Sequence, residues 1–421
     1  MKKNLRKVVT LTILFILFST SFLIPLSSSI IVNKNKVYNL DHNYDKSIFY
    51  LSGYRNGKKY FILYSMIDKL IETSNQKNNL KIKNPKEHLI FLENNLPFML
   101  DEMKGISDST GIKLERISLL KQKVTQIVRQ SCTVLLATGP ATKNNDTFLM
   151  QNIDGVFGGF IGNIFWKFFT LKLWVKEKTL NYKYSYFGIP GLVEIPIMNE
   201  KGLGWGGNLI VTSEDESRYV DEGPGIWGGA MGYAWNQLIM MTCKDVHELT
   251  TFYNDPLKSS TEYGLFCDSW CDKQGNILTV EHSHNHLIFV YKNSTEITNS
   301  KEGILWHTNH HQWLDPNLTG SIFPEDYPSS CMRSNRAEEI LIENYGNITI
   351  DVCKSILRDH KGGFKENKKD SGDICRHPDK NNLGMTIASW IIQPKDLTVY
   401  YTNKHPCRSE YKKCDLSVLF N

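Results

Sequence analysis

The sequence predicts an α+β protein, a layered sandwich in which strands are bracketed by helices at both ends of the chain. Three observations carry this. Residues 60–127 place apolar side chains at helical spacing, residues 132–211 break into short strand-like runs between turn formers, and helical stretches near 331–359 precede a last pair of strands. The size agrees, since 421 residues with 41% hydrophobic and 22% charged side chains can bury a sizeable core. The formal net charge of +5 is small for this length and gives no footprint for nucleic acid; lysine-rich "KIKNPK" at 81–86 reads as a solvated loop.

Taken in order, residues 1–29 read as a signal peptide or membrane anchor. Lys2, Lys3, Arg6 and Lys7 precede an apolar run over 8–26, and serines follow at 27–29. That run is also long enough to span a bilayer uncleaved, although Pro25 and the serines favour cleavage. Either way the remainder is expected outside the cytoplasm, secreted, lumenal or membrane-anchored. N-x-S/T sequons at Asn145, Asn293, Asn317 and Asn347 would be glycosylated in a host that performs it. Of nine cysteines, Cys267 with Cys271 and Cys407 with Cys414 are spaced for local pairing, and many connectivities stay open.

Residues 30–131 read as mostly helical. "YLSGYRNGKKY" suggests a short strand or turn, then helices follow at 60–75, at 86–104 with a kink at Pro97, and at 113–127. Behind them "CTVLLATG" and "TFLMQNI" form a hairpin. Strands are expected near 168–176, 182–187, 193–198 and 203–211, and helices at 229–242 and 245–254. A second hairpin over 276–292, helices at 331–344 and 350–359, and strands "MTIASWII" and "LTVYYT" complete the chain.

Cys132 stands at the head of its strand. A thiol is a useful nucleophile as the thiolate, so something must take its proton. If the Ser131–Cys132 bond is cut, Cys132 gains an α-amino group whose ordinary pKa near 8 lets it act as the local base. A structural or disulfide cysteine is the plainer alternative. The company of Cys132 bears on the choice: "QNID" holds Gln151, Asn152 and Asp154, "NEKGLGWGGN" ends on Asn208, "LWHTNHH" holds Asn309, and "SSCMRSNRAEEIL" holds Arg333, before "ILRDHKGGF…DICRHPD".

This ordered set, over roughly residues 95–415, resembles the peptidase C45 family of acyl-coenzyme A:6-aminopenicillanic acid acyltransferases, within the N-terminal-nucleophile (Ntn) hydrolases. The resemblance implies a four-layer αββα sandwich made as a zymogen, which cuts itself at Ser131–Cys132 into a heterodimer of a helical chain and the catalytic chain 132–421. Ser131 stands where the family more often has Gly and is small enough for the strained turn. The resemblance makes Cys132 nucleophile and amine base, and Asp154 the holder of the α-ammonium. It makes Asn208 an oxyanion donor worth about 3 kcal/mol. Asn309 would fix the amine or the oxyanion, and Arg333 would favour thiolate. Gln151, Asn152, Phe157 and Trp205 are candidate substrate contacts; bile salt hydrolases carry arginine where Gln151 stands. The aromatic run from Phe157 to Trp174 would suit an apolar acyl pocket.

The activity so implied is cleavage of N-acyl amides through an acyl-thioester, with no cofactor. Acyl transfer from a thioester such as acyl-coenzyme A to an amine is the alternative, and a non-catalytic binding protein on the same fold is a third. "GPGIWG" at 223–228 matches a dinucleotide fingerprint without the strand that should precede it. His282, His284 and His286, with His307, His310 and His311, suggest a metal, but no carboxylate or cysteine is spaced to complete a site, so no metal is expected. Cys375 and His377 imitate a papain-like pair.

Overall fold

Among the described residues, helices precede Cys132 and two antiparallel sheets follow it. The computed structural model describes residues 47–74, 85–127, 131–156, 173–177, 179–210, 230–254, 266–283, 286–319, 328–360, 372–377 and 384–421. The apolar run at 8–26, Phe157, "GPGIWG" and His284 lie outside these residues. Among the described residues no helix is long and apolar enough to cross a membrane. The four sequon asparagines are exposed.

Among the described residues, five helices precede the strands: α1 (Ile48–Lys59), α2 (Phe61–Ser74), α3 (Pro85–Asn95), α4 (Pro97–Thr110) and α5 (Leu114–Ile127). Two of them correct the sequence reading. "YLSGYRNGKKY" is helical, because its glycines serve helix packing rather than a turn. A Cβ on Gly53 would meet the Glu102 carbonyl oxygen at 2.0 Å, and one on Gly105 the Tyr50 carbonyl oxygen at 2.1 Å. So α1 and α4 touch backbone to backbone. Pro97 does not kink one helix but begins a new one. Leu96 before it is driven out of the helical region (φ −139°, ψ 56°), and proline suits a first turn whose N–H needs no partner.

Among the described residues, thirteen strands form two antiparallel sheets. The first runs in the order β10 (Ile304–His307), β1 (Ser131–Ala137), β2 (Phe148–Val156), β11 (Gly384–Gln393), β12 (Thr398–Thr402), β13 (Lys412–Asp415). The second is a meander of β3 (Leu173–Lys176), β4 (Tyr184–Ile189), β5 (Val193–Asn199), β6 (Gly204–Leu209), β7 (Phe266–Cys271), β8 (Ile277–His282) and β9 (Leu287–Tyr291). Strands β7, β10 and β13 are short and went unread in the sequence. Helices α6 (Ala230–Thr242) and α7 (Val246–Asn254) lie between β6 and β7 in the chain, and α8 (Pro328–Glu343) and α9 (Ile350–Leu357) between β10 and β11.

Alternation along β1 and β2 sorts their side chains. Leu135, Ala137, Phe148 and Met150 join the core under α8 and α9 with Ala337, Leu341 and Ile356. Val134, Leu149 and Gln151 face β6 of the second sheet, where a Cβ on Gly206 would stand 2.8 Å from Gln151 Oε1 and 2.9 Å from Leu149 Cδ2. Glycine at 206 therefore lets β6 approach closely enough to deliver Asn208 to β1. Helices α5 and α6 pack on β5.

The helical segment grips the second sheet through buried charge. Lys176 on β3 pairs with Glu102 of α4 and, at 3.1 Å, with Glu194 of β5. Burial alone disfavours the ammonium, but the two carboxylates outweigh it and hold its pKa above the ordinary lysine value. Lys121 of α5 donates to the carbonyls of Gly191 (3.3 Å) and Leu192 (3.1 Å), and Tyr64 of α2 donates to that of Pro190.

Among the described residues no two cysteines are joined in a disulfide. Cys267 and Cys271 sit four residues apart on one strand, roughly 13 Å along it, beyond the reach of a disulfide. Cys407 turns to His377 rather than to Cys414.

Lys176→Met would leave Glu102 and Glu194 facing each other without a cation. Urea denaturation is expected to show a loss of about 3–5 kcal/mol, partly restored by adding Glu102→Gln.

Candidate active site

The geometry begins where β1 outruns β10. That ladder starts at Val134↔His307, while the ladder with β2 continues to Cys132↔Ile153 and Ser131↔Asp154. Beyond His307 the chain turns away, so the N–H and C=O of Cys132 on that edge have no strand to bond. Side chains replace it. The Cys132 N–H donates to Asn309 Oδ1 at 3.1 Å. Its carbonyl accepts from Asn208 Nδ2 at 2.9 Å and from Arg333 Nη1 at 2.7 Å. Such a main chain is held in place without depending on the residue before it.

Arg333, on α8, is fully buried. Besides the Cys132 carbonyl it reaches Thr133 Oγ1 and Asn309 Oδ1, each at 2.8 Å. The Asn309 amide can therefore point one way: Oδ1 accepts from two donors, and Nδ2 donates to the Leu209 carbonyl at 2.9 Å. The loop carrying Asn309 is clamped in turn. Its N–H donates to Ser330 Oγ at 2.7 Å. Glu281 accepts from His307 at 2.7 Å and from the backbone N–H groups of Gln312, Trp313 and Leu314.

Cys132 itself is buried. Burial pushes its thiol up to about 12, and the Asp154 carboxylate adds to the rise. A hydrogen bond from the Asp154 backbone, the Arg333 charge and the Gln151 amide pull the other way. The pull of the Arg333 charge is outweighed by burial. Asp154 is raised chiefly by burial, against the pull of Arg376, Arg333 and Thr386. Its Oδ1 accepts from Thr386 at 2.7 Å, and Arg376 lies 3.7 Å from Oδ2. Because Ser131 is its cross-strand partner, the Ser131–Cys132 bond lies beside this carboxylate.

The structure thus brings together Cys132, Asp154, Asn208, Asn309, Arg333 and Gln151. It does not bring Asn152 or Trp205, whose polar atoms are held elsewhere. Asn152 follows Gln151, so it points to the helix side and donates to the carbonyls of Leu357 (2.9 Å) and Ile374 (2.8 Å). Trp205 is three residues from Asn208 and faces the other side of its sheet, donating to Asp268 at 2.8 Å beside Trp270. Both are candidate substrate contacts whose side-chain N–H groups bond within the framework. Arg376 was absent from the candidate residues, although "ICRH" was in view. Its alternation with Cys375 and His377 was the signal available.

Of the histidines weighed together as metal candidates, four contact different partners. His282 contacts Asp268 at 3.2 Å, His307 Glu281, His310 Ser330 at 2.8 Å and His311 Thr319 at 2.9 Å. Burial lowers His310 and His311 to about 4 each. Unfolded histidine titrates near 6.5, so the unfolded chain binds the extra protons first as pH falls. Their contribution is therefore full above about 6.5 and lost toward about 4. Calorimetry across that range is expected to show a falling Tm, with a shallower fall in His311→Asn.

No protein-family model matches the chain, and no curated protein does. Among solved structures, penicillin V acylase from Agrobacterium tumefaciens is similar at a TM-score of 0.39 and 13% identity, over 68% of this chain and 86% of that one. Two variants of conjugated bile acid hydrolase from Clostridium perfringens align with TM-scores of 0.38 and 0.35 at 13% and 12% identity, over 68% of this chain and 93% of theirs.

Proposed function

We propose that this chain is an exported, C45-type Ntn hydrolase that cuts itself between Ser131 and Cys132 and then hydrolyses N-acyl amides. The observation that carries the reading is the main chain of Cys132, whose N–H and C=O are held by Asn309, Asn208 and Arg333 instead of a neighbouring strand. A residue that only filled the core would need no such support.

In self-cleavage the Cys132 thiol loses its proton as sulfur attacks the Ser131 carbonyl carbon. The peptide C–N bond breaks, its nitrogen takes up a proton, and water hydrolyses the resulting thioester. The freed α-amine lies where the N–H now meets Asn309 Oδ1, with Asp154 close by. The Arg333 charge disfavours an ammonium there and keeps the amine available as a base. In turnover the thiolate attacks an amide carbonyl, the amine leaves with a proton, and water releases the acyl group from Cys132. Asn208 Nδ2 serves as an oxyanion donor once the acyl carbonyl arrives.

An αββα arrangement fits α8 and α9 against the first sheet and α5 and α6 against the second. The ion pair of Lys176 with Glu102 crosses the cut and would help keep the two chains together as a heterodimer. Export rests on the signal-like start.

Intact mass and N-terminal sequencing of wild type beside Cys132→Ala provide the test. A wild-type fragment beginning at Cys132 and missing from the variant is expected; an uncut wild type overturns the reading. In processed enzyme, Asn208→Ala is expected to lower kcat on N-acyl amides about 10²–10³-fold.

A further inference from the structure

Three stretches of chain distant in sequence from Cys132 meet beyond the end of α9. His360 follows that helix, Cys375 and His377 flank Arg376 in the segment leading to β11, and Cys407 sits in the turn Pro406–Arg408 after β12. Hydrogen bonds hold these stretches to one another: the Cys375 N–H donates to the Asp359 carbonyl at 3.1 Å, and the Arg358 guanidinium donates to the carbonyls of Pro406 (2.9 Å) and Ser409 (2.8 Å).

Four donor atoms converge there, all within 4.8 Å of one another. His377 Nε2 lies 3.0 Å from His360 Nε2, 3.2 Å from Cys407 Sγ and 3.8 Å from Cys375 Sγ. A single ring nitrogen offers one direction for a hydrogen bond, so it cannot serve three such neighbours at once. A shared cation can. Zinc takes sulfur at about 2.3 Å and imidazole nitrogen at about 2.0–2.1 Å in a tetrahedron, which sets donors roughly 3.3–3.8 Å apart. The separations from His377 Nε2, 3.0–3.8 Å, overlap that range and begin slightly below it, and two thiols with two imidazoles is a donor set suited to zinc.

We propose that His360, Cys375, His377 and Cys407 bind one Zn²⁺ as a closed structural site. Both thiols coordinate as thiolates and release their protons to solvent. Four protein ligands leave no open position for substrate or water, so the ion acts by fixing chain. What it fixes is Arg376. With Cys375 and His377 tied to the metal, Arg376 is presented to the opposite side. There its N–H meets Thr386 Oγ1 at 2.9 Å and its guanidinium faces Asp154. Thr386 in turn donates to Asp154. The ion is thus a positioning element behind the Asp154 carboxylate. The papain-like look of Cys375 and His377 is one half of this four-donor set.

The site does not depend on self-processing, and its test is run on full-length wild type and on Cys132→Ala, which keeps all four donors. Elemental analysis is expected to give one zinc per chain in both. Cobalt replacement is expected to give the visible bands of a tetrahedral thiolate site. Cys375→Ser/Cys407→Ser and His360→Asn are expected to abolish both signals. Should those variants fail to fold, the wild-type measurements still decide. A metal-free protein whose added cobalt shows no thiolate band overturns the proposal, as does a Cys375–Cys407 disulfide found by non-reducing peptide mapping.

Discussion

The buried guanidinium of Arg333 is the interaction on which the rest of the site depends. A cation without water must be met by acceptors, or it destabilises the fold by several kcal/mol. Here the acceptors are the Cys132 carbonyl, the Thr133 hydroxyl and the Asn309 side-chain oxygen. One planar group therefore fixes α8 against β1 and sets the loop after β10 against both. Lysine could not do the same, since a single ammonium lacks the fork that reaches three acceptors in one plane.

Buried charge recurs wherever this fold joins unlike elements. Lys176 ties the helical segment to the second sheet, and Glu281 gathers three successive backbone N–H groups of the loop behind Asn309. Asp268 collects Trp205, Asn236, Tyr253 and His282, joining α6 and α7 to the outer side of the second sheet. Burial works against Asp268 and Glu281 as carboxylates, and their hydrogen-bonding partners prevail, holding both below the usual range. These contacts specify which element sits where, a task apolar packing performs with less selectivity. Asp154 differs: its partners do not overcome burial, and it stays raised.

Much of this was legible in the sequence, and the failures have physical causes. The hairpin of β1 and β2 could be read from composition, because apolar alternation and a turn-rich link are local signals. So could Cys132 at its head. Helix α1 could not, since its glycines signal a turn unless α4 is known to lie against them. Pro97 marked a boundary, but whether it kinks or starts a helix depended on the backbone of Leu96. The pairing of Cys267 with Cys271 failed on strand geometry, which became applicable once β7 was recognised.

The sequence by itself determined the periodicities, the chemistry available at each position, and the order Cys132, Asp154, Asn208, Asn309, Arg333 along the chain. Tertiary structure decided which of these groups meet. Gln151 and Asn208 meet Cys132, and the polar atoms of Asn152 and Trp205 are held elsewhere. Likewise His360 and Cys407 joined Cys375 and His377 through contacts spanning 17 to 30 residues. Local sequence sets what a side chain can do, whereas the approach of two sheets and the turns between them set what it can reach.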